Sequence, residues 1–266
     1  MTSPAPEADT LRAAGVTLAV DGAVATVTLD RPETKNSQTP ATWSALRAIG
    51  DSLPGDVRVV VVRGAGDSFS SGLDRRMLTP AGVEGDTSLL DLLALSDEDL
   101  AGTIAGYQEG FTWLRRPDLV TVAAVQGYAI GAGFQLALAC DLRVLADDAR
   151  LSMREPLLGL VPDLTGTKPL VELVGYSRAL EICATGRDVD ASEARDLGLA
   201  TAVVPRADLD ATVADLVTAL TAPLAGAVTE TKALLQSAAA LDLDEQRRVE
   251  REAQVRRFRE LAALLG

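Results

Sequence analysis

The chain has no histidine in 266 residues. This absence excludes serine and cysteine nucleophiles that depend on an imidazole base. It also excludes histidine-ligated metal centres, and no metal is expected. Any proton transfer falls to carboxylate, lysine, tyrosine, cysteine or water. Cysteine is nearly absent too. Cys140 and Cys183 form no spacing pattern, so neither a disulfide framework nor a zinc site is implied. Positive charge is in short supply: 25 Lys and Arg stand against 38 Asp and Glu, a net charge of −13. A general nucleic-acid binder needs a basic footprint and is excluded, whereas a small anionic ligand held by a local patch is not. No run approaches the ~18 apolar residues of a membrane helix. The opening MTSPAPEADTLRAAG has no basic start or apolar stretch of a secretory signal, and it carries acids that mitochondrial transit peptides avoid. The expected location is cytoplasmic, with no membrane partner.

What is present is the balance of a soluble globular protein, 47% hydrophobic and 24% charged. Residues 1–12 read as a disordered tail. Val16 to Leu29 predicts two strands around the turn dipeptide Asp21-Gly22. Thr39-Pro40 opens a helix with Trp43, Leu46, Ile49 and Leu53 at helical spacing. The β-branched run Asp56 to Arg63 and the run Leu119 to Val125 read as buried strands. Leu100, Ile104, Tyr107, Phe111 and Leu114 form an amphipathic helix that stops before Pro117. Short strands follow at Leu142–Ala146 and Arg150–Met153, and beyond Thr167 the chain is mostly helical, with one strand near Ala202–Val204. Strands alternating with helices predict an α/β fold.

Two segments carry the chemistry. In QGYAIGAGFQLALACD, residues 126–141, glycines sit between a strand and a helix, where backbone can approach a ligand and helix N–H groups are unpaired. A tight strand-to-helix turn reads equally well. A dinucleotide site does not, because the third glycine and the later acid are missing. In MREPLLGLVPDLTG, residues 153–166, Glu155 and Asp163 lie eight positions apart among leucines, where desolvation raises a carboxyl pKa. Ordinary roles compete: Glu155 also reads as pairing near Arg154, Asp163 as the N-cap of a helix over Leu164–Leu173, Gln135 as a buried residue bonding backbone, and Leu73 as packing.

Five fragments in order, VTLDRPETKNS (27–37), VRVVVVRGAGDSFSSGLD (57–74), VQGYAIGAGFQLALACDLRVLADDARL (125–151), EPLLGLVPDLTGTKPL (155–170) and TGRDVDASEARDLGLATAVVP (185–205), resemble the enoyl-CoA hydratase/isomerase (crotonase) family. The resemblance implies a spiral of ββα turns over 13–205 and a helical C-terminal region over 206–266 that packs in a trimer or hexamer. It implies an acyl-CoA thioester substrate, with coenzyme A as part of that substrate and no separate cofactor. It implies an enolate intermediate held by two backbone N–H groups, matched here by Leu73 and Ala132, the latter in place of the usual glycine. Such a donor is worth about 3–4 kcal/mol in a transition state.

The family's hydratases use two glutamates. The second matches Glu155, preceded by Arg154 instead of proline; the first falls on Gln135, which is no base but can hydrogen-bond water or substrate. Enoyl-CoA isomerases keep the single glutamate matched by Glu155. Dienoyl-CoA isomerases add an aspartate eight positions on, matched by Asp163, but usually also carry an aspartate where Gln135 stands, so the match is partial. The resemblance therefore implies an acyl-CoA isomerase, with a Gln-variant hydratase or a non-catalytic acyl-CoA-binding protein as alternatives. Leu157, Leu158, Leu160 and Val161 are expected to wall the acids. Coenzyme A phosphates need cations in this acidic chain; Arg31, Lys35, Arg75, Arg76 and Lys232 are the candidates, with backbone around Ser71, Leu73, Asp74 and Arg75 holding the adenine. Arg247, Arg248, Arg251, Arg256 and Arg257 are further candidates, although arginines on such a helix mostly pair with nearby acids. Residues 77–99 are expected to help line the acyl pocket.

Overall fold

The computed structural model describes residues 6–265. Helix α1 (Ala8–Ala13) leads into the hairpin β1 (Val16–Asp21) and β2 (Val24–Leu29). Helix α2 (Pro40–Ser52) and strand β3 (Val59–Gly64) follow, then α3 (Leu89–Leu93) and α4 (Asp97–Thr112). The glycine-rich region contributes β4 (Val120–Val125), β5 (Tyr128–Ile130) and α5 (Ala132–Ala139). Next come β6 (Leu142–Ala146), β7 (Arg150–Ser152), α6 (Thr167–Val174), α7 (Tyr176–Thr185), β8 (Val189–Asp190), α8 (Ala191–Asp196) and β9 (Ala202–Val204). Three helices finish the chain: α9 (Leu209–Thr221), α10 (Ala225–Ala238) and α11 (Leu243–Leu265).

The main sheet has the order β1-β2-β3-β4-β6-β9, antiparallel between β1 and β2 and parallel throughout the rest. Parallel neighbours cannot be joined by a hairpin, so helices cross over between them. This is why the central strands are valine-rich without alternation: all six residues of β4 are buried. A smaller sheet, β5-β7-β8, stands beside it. One apolar cluster joins Trp43, Leu46 and Ile49 of α2 with Phe111, Leu114 and the side chains of α5. A second, on the other sheet face, joins Val59, Val61, Val122 and Val144 to Leu209 and Val213 of α9. The fold is mixed α/β, with a central, mostly parallel sheet and C-terminal helices.

The disordered tail expected over 1–12 fails in its second half. Residues 1–5 lie outside the described residues, but Ala8–Ala13 is helical and Leu11 is buried against the core. One leucine in a short polar stretch is too weak a periodic signal to reveal this. The helix expected from Leu164 begins instead at Thr167, with Gly166 at its N-cap and no side-chain cap bond. Asp163 therefore does not cap it.

Candidate functional site

The loop after β3 carries Ser71-Gly72-Leu73 against the start of α5. Gly72 has φ +83°, and a β-carbon there would fall 2.3 Å from the Ile130 carbonyl oxygen and 3.4 Å from the Ala132 nitrogen. Only glycine lets these two backbones touch. The contact sets Leu73 and Ala132 on one cavity wall, and among the described residues neither backbone N–H donates to a protein acceptor. The turn is anchored from below. The Asp74 carboxylate accepts from Arg31 Nη2 at 3.2 Å, Ser37 Oγ at 3.2 Å and Arg76 Nη2 at 2.7 Å, while its N–H donates to Gln38 O at 2.8 Å. Arg76 foremost holds the Asp74 carboxyl well below the usual carboxylate range.

Leu73 and Ala132 line a cavity of about 340 Å³ together with Gln135, Glu155, Asp163 and Leu164. Trp43, Tyr107, Leu100 and Ile104 from α2 and α4 form part of the apolar wall, and Met77, Leu78, Leu89, Leu92 and Leu93 add more, as expected of 77–99. All four residues expected to wall the acids are exposed; Leu160 and Val161 border the cavity, whereas Leu157 and Leu158 do not. Leu157 instead packs over Gly186. Burial raises the pKa of both Glu155 and Asp163. The two charges also repel, which adds to the rise at Glu155.

Glu155 does not pair with Arg154, whose guanidinium bonds Asp188 Oδ1 at 2.7 Å. It accepts instead from Gln135: Nε2 donates to Glu155 Oε1 at 2.7 Å, and Glu155 Oε2 is buried without a partner among the described residues. The carbonyl oxygen of Gln135 accepts from the N–H groups of Leu164, at 2.9 Å, and Gly166, at 3.2 Å. Gln135 thus bonds backbone, as its ordinary reading had it, and an acid as well. It is not free to hold water through its oxygen.

Leu73 also borders a polar groove lined by Ser71, Asp74, Arg75, Tyr128, Ile130 and Arg154. Lys35 reaches its edge, with Nζ 4.6 Å from the centre of the Tyr128 ring. Lys35, Ser71, Leu73, Asp74 and Arg75 therefore gather as expected. Arg31 does not: its guanidinium is turned inward onto Asp74 and Ser37 O. Arg76 is likewise spent on Asp74. Lys232 is a second correction. Its Nζ donates to Leu119 O and Asp141 Oδ2, both at 2.7 Å, and it lines a different depression bordered by α10. On α11, Arg247, Arg248, Arg256 and Arg257 pair with Asp244, Glu245, Glu230 and Glu260. Tyr128 and Arg154 were missed; the signal available was an aromatic inside the glycine cluster and a cation directly before the acid. Replacing Lys232 by methionine should destabilise the fold by about 3 kcal/mol, read by denaturant unfolding, because Asp141 is left half-buried and unpaired. Coenzyme A affinity should be unchanged.

The enoyl-CoA hydratase/isomerase family pattern matches residues 19–263. A protein of Thermobifida fusca YX, provisionally named an enoyl-CoA hydratase and solved in complex with CoA, is 53% identical, with 99% of this chain and 100% of that one covered and a TM-score of 0.94. Its form in complex with acetoacetyl-CoA is 54% identical over 96% and 99% of the two chains, with a TM-score of 0.93. The peroxisomal Delta(3,5)-Delta(2,4)-dienoyl-CoA isomerase of Arabidopsis thaliana is 34% identical over 68% of this chain, which spans 64% of that relative's length. A Bacillus subtilis protein provisionally named an enoyl-CoA hydratase is 33% identical over 69% of this chain and 67% of its own. By pattern, fold and relatives together, the chain belongs to the enoyl-CoA hydratase/isomerase family.

Proposed function

We propose that the protein is an acyl-CoA isomerase that moves a C=C bond of an enoyl- or dienoyl-CoA through a thioester enolate. The observation that carries this reading is the pairing of Glu155 with Asp163 in one apolar cavity, while the remaining position is an amide whose hydrogen bonds are already committed. Hydration by the family's two-glutamate arrangement needs an acid at position 135 to hold the water, and Gln135 is an amide. A double-bond shift needs no water. It needs a proton removed beside the thioester carbonyl and one delivered further along.

The thioester oxygen is received by the N–H groups of Leu73 and Ala132, which act where negative charge develops. Glu155 removes a proton from C2 and the electron pair moves into the enolate. For a 1,3-shift Glu155 returns the proton at C4; for a dienoyl thioester a protonated Asp163 gives its own proton further along at C6, and a proton then passes from Glu155 to Asp163 to restore both acids. Burial supports both roles, since a raised pKa brings a carboxyl closer to working pH. The apolar wall keeps water from the enolate. The groove from Ser71 to Arg75, with Lys35 at its edge, takes coenzyme A, in keeping with the CoA and acetoacetyl-CoA complexes of the Thermobifida fusca relative.

The test offers the purified protein 2-enoyl-, 3-enoyl- and 3,5-dienoyl-CoA of several chain lengths and follows conjugation by ultraviolet absorbance. Isomerisation of a 3-enoyl- or 3,5-dienoyl-CoA, faster than hydration of any 2-enoyl-CoA, is expected. Faster hydration would overturn the reading in favour of a hydratase. Binding without turnover of any of them would make the chain an acyl-CoA-binding protein.

A further inference from the structure

We infer that Gln135 is a positioning residue that sets the place and the proton affinity of Glu155, and that Oε2 of Glu155 is the oxygen that carries the proton. The inference rests on the isomerase reading for its chemistry, but its geometry stands apart from it. The amide of Gln135 can face only one way. Its buried neighbours on one side are two N–H donors, Leu164 and Gly166, which demand an acceptor. An NH₂ group turned toward them would leave three donors facing one another. The carbonyl therefore faces the loop and the NH₂ faces Glu155.

The loop is shaped to make this so. Thr165, between the two donors, has φ +69°, a left-handed conformation that a β-branched residue rarely adopts. It turns the chain so that N–H groups on both of its sides reach one oxygen. Gly166 is the fitting partner: a β-carbon there would fall 2.6 Å from Gln135 Cγ. Gln108 on α4 grips the same loop from elsewhere, with Nε2 donating to Asp163 O at 2.7 Å. Gln135 is thus tied at one end to the residue after Asp163 and at the other to Glu155. A single side chain sets the spacing of the two acids.

The consequence for Glu155 follows from the donor. Oε1 already accepts an N–H, which spends one of its lone pairs and lowers its basicity; the unpartnered Oε2 is the more basic oxygen. In the reaction Oε2 gains the C2 proton as the C–H pair enters the enolate, then gives it back at C4, and the carboxylate returns to its starting state. A hydrogen bond to the charged form also opposes the rise that burial imposes. A glutamate at position 135 could accept from Leu164 and Gly166 just as well. It could not donate to Glu155 without holding a proton of its own. Glutamine is the residue type that satisfies both sides.

The experiment compares the wild type with Gln135→Glu and Gln135→Met, using Glu155→Gln to assign the Glu155 carboxyl band in difference infrared titrations. Both variants should move the Glu155 titration upward, Gln135→Glu by about one pH unit or more because a like charge now faces it. The acid limb of kcat should move with it, and kcat at neutral pH should fall about tenfold or more with KM within about twofold. A Glu155 titration that stays in place while only the melting temperature drops would reduce Gln135 to a packing residue and overturn the inference. If Gln135→Glu fails to fold, Gln135→Met decides alone, since it removes the donor without adding charge. The infrared readout needs no substrate, so it holds or fails independently of the turnover that tests the isomerase reading.

Discussion

Glu155→Gln is expected to lower kcat for double-bond migration by about 10²- to 10⁴-fold, the range contributed by a positioned acid–base group, and yet to raise the melting temperature at neutral pH. The amide fills the same space and can still turn an oxygen toward Gln135 Nε2. What it removes is a buried negative charge with one unpartnered oxygen. The direction of the stability change follows from linkage. Burial raises the folded-state pKa of Glu155 above its unfolded value, so the native state binds this proton more tightly. The stability that proton confers is present at low pH and is lost as pH rises through the folded-state pKa. Above the unfolded-state pKa the wild type bears the cost that burial puts on ionising this carboxyl, and the amide does not. Asp163, raised in the same direction, should give Asp163→Asn a similar stability gain, with a large loss of activity toward dienoyl thioesters and a small one toward 3-enoyl thioesters. A melting temperature that falls in Glu155→Gln would mean that the carboxylate has a structural partner after all. Retained isomerisation would remove Glu155 from the chemistry.

How far the sequence foretold this site depends on how local each feature is. The valine runs of β3 and β4 and the periodic apolar positions of α2 and α4 are properties of consecutive residues, and they stand where the patterns put them. Glu155, Asp163, Leu73 and Ala132 were identified from motifs and do border one cavity. The failures are of partnership. Arg31 and Lys35 lie in one loop and look alike, but Arg31 is captured by Asp74, 43 positions later. Lys232 is captured by Asp141, 91 positions earlier. Nothing near either cation announces its acid. Gln135 is the same case in reverse. Its residue type ruled out a base, but its actual work depends on N–H groups 29 and 31 positions away, presented by a turn whose left-handed residue is Thr165 and not the glycine beside it.

Gly72→Ala should cost both stability and turnover. Two costs meet there. The left-handed φ of +83° disfavours any residue with a β-carbon, by about 1–2 kcal/mol. The added carbon would also come 2.3 Å from the Ile130 carbonyl oxygen, which is backbone and cannot swing aside as a side-chain tip can. Ile130 is held in place by its N–H bond to Ser70 O, at 3.0 Å, and by the pairing of β5 with β7. The strain therefore falls on the contact between the Ser71–Leu73 turn and the start of α5. On the proposed mechanism, separating them parts the two N–H donors of the enolate, Leu73 and Ala132, and losing one such donor costs about 10²- to 10³-fold in kcat. Gly22→Ala is the matching control. Gly22 also has positive φ, +52°, but a β-carbon there meets nothing within 4 Å, and it sits in the β1–β2 turn far along the sheet from the cavity. Gly22→Ala should lose stability by the backbone cost alone and keep full activity. Gly72→Ala should lose more stability and, among the molecules that remain folded, nearly all turnover while still binding coenzyme A. If the two variants lose stability equally and both stay active, the approach of these two backbones is not what the chemistry depends on.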